Sequence, residues 1–242
     1  MTDLNHASKV PGLAVVIGAG GGIGAALTEQ LRRSGDFSEV IGLGRGSLPA
    51  IDYGSEPSLK AAAQFVAERC ASTGQALQML VVASGFLHGE AGQPERSFAH
   101  FDAAYLKQVF AINTLGPALV MKHFFPLLPK QGRCVAGFLS ARVGSITDNA
   151  LGGWFGYRAS KAALNQLVKT ASIELTRRNR QSICVALHPG TVDTALSEPF
   201  AKAGLNVRPP AEAATDLLRV MAELTPIDTG ALIDFRGQKI GY

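Results

Sequence analysis

The sequence predicts an α/β chain, a single doubly wound parallel sheet with helices on both faces. Three observations predict it. Short apolar runs alternate with helical stretches of roughly 10 to 20 residues from end to end, which is the pattern of crossover units on a parallel sheet. The run at 77–82 (LQMLVV) is continuously apolar, as a strand covered on both faces requires. The first strand, GLAVVI at 12–17, leads straight into a glycine-rich loop and then a helical pattern.

The elements follow in order. Residues 1–10 are polar and expected to be loose. After the strand at 12–17 and the loop at 18–24 comes a helix at 25–33, then a strand at 39–43. The Pro- and Gly-punctuated stretch 46–57 precedes a helix at 59–70 and the strand at 77–82. Two long helical segments occupy 102–113 and 115–128. A strand at 133–139, a glycine-rich loop, a helix at 157–177 and a strand at 183–187 follow. A helix at 210–223 and a strand at 232–235 end the pattern. No linker or composition break interrupts this order, so one domain spans 1–242.

Composition narrows the function. The 242 residues are 47% apolar, enough for one sizeable core. A net charge of +4 with scattered basic residues argues against a nucleic-acid partner. No apolar stretch reaches the length of a membrane span, and the N-terminus lacks a signal-peptide pattern. Cys70, Cys134 and Cys184 lie far apart without a CxxC, so neither a disulfide framework nor a zinc site is expected, and a cytoplasmic location is the default. His88 and His100 flank the loop after the strand at 77–82, but no second ligand at metal spacing accompanies either.

The loop GAGGGIG (Gly18, Gly20, Gly22, Ile23 and Gly24 within it) sits where a dinucleotide site needs it. It offers a tight turn, close backbone approach to a pyrophosphate, and free N–H groups at a helix N-terminus. The strand at 39–43 ends in Gly44-Arg45, with no carboxylate for the ribose hydroxyls. A guanidinium there suits a 2′-phosphate, so NADP(H) is favoured over NAD(H). Asp52, farther along, is placed at the adenine edge.

Tyr157 and Lys161 stand four apart at the start of the helix at 157–177, hence on one face. The ammonium is expected to lower the phenol's pKa and fit it to trade a proton with a carbonyl oxygen.

Together, Gly18-x3-Gly22-Ile23-Gly24, Asn113, Tyr157-x3-Lys161 and Pro189-Gly190 resemble the short-chain dehydrogenase/reductase family, over residues from about 12 to the end. The stretch from Leu139 through Asn165 looks most like its carbonyl reductases related to the myxobacterial C-factor and the insect sniffer protein. The resemblance implies a Rossmann-like sheet of seven strands and NAD(P)-dependent redox chemistry. It makes Tyr157 the catalytic acid/base and Lys161 both its partner and a ligand of the nicotinamide ribose. Asn113 would hold a water in a proton relay. Pro189, Gly190, Val192 and Thr194 would pass the nicotinamide, Thr194 bonding its carboxamide.

Two departures stand out. The family's NNAG is here Val82-Ala83-Ser84-Gly85, in which Ala83 and Gly85 still leave room for a cofactor. The family's serine pair is here Ser140-Ala141, so the carbonyl-polarising hydroxyl falls to Ser140 by position or to Ser145 by spacing. Residues 195–209 read as a substrate lid. With Phe86-Leu87 and Trp154-Phe155, they suggest a small or medium neutral carbonyl or secondary alcohol. The apolar stripe Leu164, Leu167, Val168, Ala171 and Leu175 suggests, with the resemblance, a homodimer or homotetramer. The competing reading is a nucleotide-binding regulatory or signalling protein of the same fold with weak or no turnover.

Overall fold

The computed structural model describes residues 12–90, 92–200 and 207–242; the stretch 1–10 expected to be loose, and 201–206 of the expected lid, lie outside the described residues. Seven strands form one sheet in the order β2-β1-β3-β4-β5-β6-β7. They are β1 (Leu13–Ile17), β2 (Glu39–Leu43), β3 (Leu77–Val82), β4 (Cys134–Leu139), β5 (Ser182–His188), β6 (Leu232–Asp234) and β7 (Lys239–Ile240). The helices are α1 (Gly22–Ser34), α2 (Glu56–Thr73), α3 (Ala103–Phe110), α4 (Gly116–Phe124), α5 (Phe155–Arg178) and α6 (Pro210–Glu223).

The continuous apolar strands are explained by two cores, one on each face of the sheet. In β1, Leu13, Val15 and Ile17 pack with Leu59 of α2, Phe124 of α4 and Leu164 of α5. The alternate residues Ala14 and Val16 pack with Leu27 of α1 and Leu217 of α6. Because successive side chains point to opposite faces, a strand that feeds both cores has no polar position to spare. Left-handed glycines at Gly35 and Gly74 end α1 and α2.

The structure departs from the sequence reading at several points, among them the starts of α1 and α2, which each come three residues early. β7 pairs antiparallel with β6. Asp234 makes that turn, its carboxylate accepting the N–H groups of Arg236 and Gln238. The two long helical segments form a nearly continuous rod in which Ala111–Leu115 is one π-helical turn. α5 begins two residues early, at Phe155. Finally, the stripe on α5 serves the chain's own core. Leu164, Val168 and Leu175 are buried against the sheet, with Leu167 and Ala171 packed at the margin. Leu115, Phe155 and Ile173 are the large apolar residues these helices leave exposed.

Candidate active site

Every parallel strand ends on one edge of the sheet, and the site residues collect there. The chain leaves β1 through Gly18, whose φ of +89° favours glycine. The N–H groups of Gly18 and Ala19 donate to the Leu43 carbonyl, which fixes the loop against β2. Gly24 lies so close to this turn that a Cβ on it would stand 2.1 Å from the Gly18 oxygen. No side chain caps α1 at Gly21, so the first-turn N–H groups stay available to an anion. Thr194 packs its methyl against Gly22, joining the glycine loop to the segment after β5. Arg45 is exposed just beyond β2. The Ile51 N–H donates to the Gly44 carbonyl at 2.9 Å, which folds Asp52 back toward the same end of β2. The Asp52 carboxylate accepts from the Gly54 N–H.

Tyr157 and Lys161 share one face of α5 and are both buried, with the Lys161 Nζ 5.8 Å from the tyrosine ring centre. Lys161 donates to the Leu139 carbonyl at the end of β4, 2.9 Å away. Gly85, after β3, sits opposite; a Cβ there would lie 3.9 Å from both the Lys161 Nζ and the Asn113 Oδ1. Asn113 is fully buried in the π-helical turn, a form that recurs at functional sites. Its Oδ1 accepts from the Phe86 N–H, and its Nδ2 donates to the Phe86 carbonyl and the Ser160 Oγ. Both ends of the amide are thus engaged in bracing the loop after β3 and the helix α5. The Oδ1 accepts only the Phe86 N–H, so its second lone pair is where a relay water would bind. Ser84 takes over part of the missing NNAG brace by hydrogen bonding to the Tyr53 hydroxyl.

Burial sets the electrostatics. It pushes the Tyr157 phenol up, opposite to the lowering expected from its lysine neighbour. Phenolate desolvation outweighs an ammonium that is itself directed at a carbonyl oxygen. The same burial lowers Lys161 from 10.5 to about 8. At pH 7 the pair is therefore neutral phenol beside ammonium. His188, at the end of β5, is held down at about 4 by burial and is neutral.

Both candidate serines have their protons committed. The Ser140 Oγ donates to the Asn165 Oδ1 at 2.7 Å. The Ser145 Oγ donates to the Gly241 carbonyl and accepts from the Asp148 N–H. Ser140 lies beside the residue that holds Lys161, whereas Ser145 faces the far end of the sheet near β7.

The wall over Tyr157 is aromatic. Trp154 meets the Tyr157 ring edge-on at 6.2 Å and Phe200 at 5.1 Å, and Phe200 reaches His88 at 5.5 Å. The His88 ring also hydrogen-bonds to the Ala195 carbonyl, which ties the described part of the lid down. Leu196 closes over Gly85. Leu87 is buried, and Phe155 packs against Phe101 instead of joining this wall. Arg208 lies near the end of the expected lid, and sequence reading gave it no role of its own. Its backbone bonds with Thr191 and Asp193, and its guanidinium lies over Phe235 and pairs with Asp216. This clamp holds the segment Pro189–Thr194 from behind. Among the described residues, no group of three or more His, Cys, Asp or Glu could hold a metal ion. No helix among them is long and apolar enough to cross a membrane.

The chain is similar to several known proteins. The chain is 34% identical over 141 residues to the C-signal of Myxococcus xanthus, covering 58% of this chain and 81% of that protein. It is 29% identical over 226 residues to 1-hydroxy-2-glutathionyl-2-methyl-3-butene dehydrogenase of a Rhodococcus species, covering 89% and 93%. Among solved structures, NADPH-bound carbonyl reductase from chicken fatty liver superposes with a TM-score of 0.81 at 24% identity, covering 95% and 94%. Carbonyl reductase Sniffer of D. melanogaster gives 0.79 at 20% identity, covering 96% and 99%. At those identities the structures establish a common fold. The model of the short chain dehydrogenase family matches residues 12–204, most of the chain, and the protein belongs to that family.

Proposed function

We propose that the protein is an NADP(H)-dependent oxidoreductase of the carbonyl-reductase type. Its substrate would be a small or medium neutral carbonyl, or the corresponding secondary alcohol. The observation that carries this reading is the buried pair Tyr157 and Lys161, braced through Ser160 by Asn113 at the carboxyl edge of the sheet. The residues fit a nicotinamide dinucleotide: the Gly18–Gly24 turn and the uncapped start of α1 suit its pyrophosphate. Gly85, Ala83 and the segment Pro189, Gly190, Val192 and Thr194 would border the nicotinamide. Arg45 would hold a 2′-phosphate, and Asp52 the adenine edge. The bound dinucleotide supplies the hydride donor or acceptor.

The chain's own residues handle the proton. Tyr157, a neutral phenol at pH 7, gives its proton to the carbonyl oxygen. The phenolate left behind is stabilised by the Lys161 ammonium one helical turn away. Asn113 keeps the loop after β3 and the first turns of α5 in register while this happens. Trp154, Phe200 and Leu196 exclude water from the reacting oxygen, which strengthens these charge interactions. A homodimer or homotetramer and a cytoplasmic location complete the reading.

A second reading, a nucleotide-binding regulatory or signalling protein, draws on Ala141, on the two committed serine hydroxyls, and on the relative named C-signal. A screen of neutral ketones, aldehydes and quinones with NADPH separates the two, following loss of reduced-nicotinamide absorbance. Turnover is expected, and Tyr157→Phe should reduce it by at least about a hundredfold, the scale of losing a positioned acid. No turnover across the screen, or full activity in Tyr157→Phe, defeats the first reading.

A further inference from the structure

Glu95 is 1% exposed, and among the described residues no lysine, arginine or histidine pairs with it. Its hydrogen bonds all lie at the start of α5. The backbone carbonyl accepts the Trp154 N–H at 2.6 Å. The two carboxylate oxygens share the Gly156 N–H at 3.2 and 3.1 Å. One residue thus grips both sides of Phe155, and the next residue along is Tyr157. The helix has no cap of its own, because Trp154 stands at the cap position without a side-chain bond. A buried carboxylate is favoured there by the free N–H groups and partial positive charge of a helix start.

The grip has something to resist. Gly152, Gly153 and Trp154 have φ values of 65°, 65° and 53°, three consecutive left-handed residues entering the helix. For Trp154 that conformation is strained and persists only where its surroundings impose it. Arg158 helps from the other side, its guanidinium donating to the carbonyls of Gly152 and Gly153. The fit around Gly156 is close. A Cβ there would stand 2.9 Å from the Glu95 Oε1 and 2.7 Å from the Leu106 Cδ2.

We propose that Glu95 is a positioning residue for the active site. It holds the left-handed turn at Trp154 and the first turn of α5, and so fixes both the Tyr157 hydroxyl and the indole that walls the substrate space. The kinetic part rests on the oxidoreductase reading above; the conformational part does not.

Trp154 is the one tryptophan in the chain, so its emission reports this turn alone. Glu95→Ala is expected to change the emission maximum and raise acrylamide quenching. It should lower kcat by about ten- to a hundredfold, the scale of misplacing a reacting group by about an ångström. The NADPH dissociation constant, set at the glycine loop, should stay within about threefold. Glu95→Gln keeps an amide oxygen that can accept the Gly156 N–H, and should restore both emission and kcat to within about threefold of the parent. Gly156→Ala pushes the carboxylate away from the opposite side and should reproduce the alanine variant's signature. If Glu95→Ala does not fold, Gly156→Ala and Glu95→Gln decide the matter with the same outcomes. Parent-like emission and kcat in a folded Glu95→Ala or Gly156→Ala overturn the proposal, as does a Glu95→Gln impaired as much as either. If the parent itself shows no turnover, the oxidoreductase reading fails, and emission still decides whether Glu95 holds the turn.

Discussion

Keeping an ammonium at Lys161 should cost the fold stability, and the cost can be measured. Burial lowers this lysine from 10.5 to about 8. The sign follows from proton counting: between those two values the unfolded chain binds a proton that the folded chain has released. Stability therefore rises with pH across the window from about 8 to 10.5. Below pH 8 the penalty is fully present. With about 1.4 kcal/mol for each pKa step of one, it reaches about 3 kcal/mol at pH 7. Lys161→Met removes the charge at similar volume. It also loses the bond to the Leu139 carbonyl, worth roughly 1.5 kcal/mol. The variant should therefore be more stable than its parent at pH 7 by about 1–2 kcal/mol, or roughly 4 °C in Tm for a chain of this size. By about pH 10 most of the penalty is gone, so the advantage should vanish or reverse. Urea denaturation of both proteins at several pH values, followed by circular dichroism, supplies the numbers. Taking the difference between the two cancels the titration of the raised tyrosines. A variant less stable than its parent at pH 7, or a difference that stays flat up to pH 10, would refute this account of the lysine.

Three further outcomes are expected. Arg45→Ala should weaken NADPH binding at least about tenfold and leave NADH nearly unchanged, since only the 2′-phosphate loses a charge-assisted contact; fluorescence titration of both nucleotides tests this, and equal losses would remove the NADP assignment. Ser140→Ala leaves the Asn165 Oδ1 without its donor and should destabilise the fold by about 1–3 kcal/mol in denaturation while keeping kcat within about tenfold. Ser145→Ala should likewise keep kcat within about tenfold, and a loss of a hundredfold or more in either variant would identify the oxyanion donor that the hydrogen bonding argues against.

The sheet was legible because its rule is local. Continuous apolar runs such as 77–82 can be satisfied only between two cores, and the helix at 210–223 sits within its predicted bounds because Pro209-Pro210 marks its start. β7 was not legible. Two residues, Lys239 and Ile240, carry no periodicity, and their pairing is set by the Asp234 turn. The same contrast holds in the site. The glycine loop and the Tyr157–Lys161 pair are short-range patterns and emerge where expected, on one edge of the sheet. Glu95 and Arg208 act on segments far from them in sequence, and nothing around either residue announces that role. The direction of the Tyr157 shift was missed because spacing reports the neighbour and says nothing about how much water surrounds it.

The strand order also bears on how the chain is made. From β3 onward each new strand joins the edge of the one before it, so the sheet can grow outward as the nascent chain leaves the ribosome. Between the emergence of β3 and β4, the outer edge of LQMLVV has no partner, and α3 and α4 must pass first. Parallel pairing of this kind is slow and leaves apolar edges open to other chains. A ribosome stalled in that interval would display its most aggregation-prone surface, and holdase chaperones would be expected to bind there. Truncations ending before Cys134 should accordingly be insoluble, although they carry the whole glycine loop.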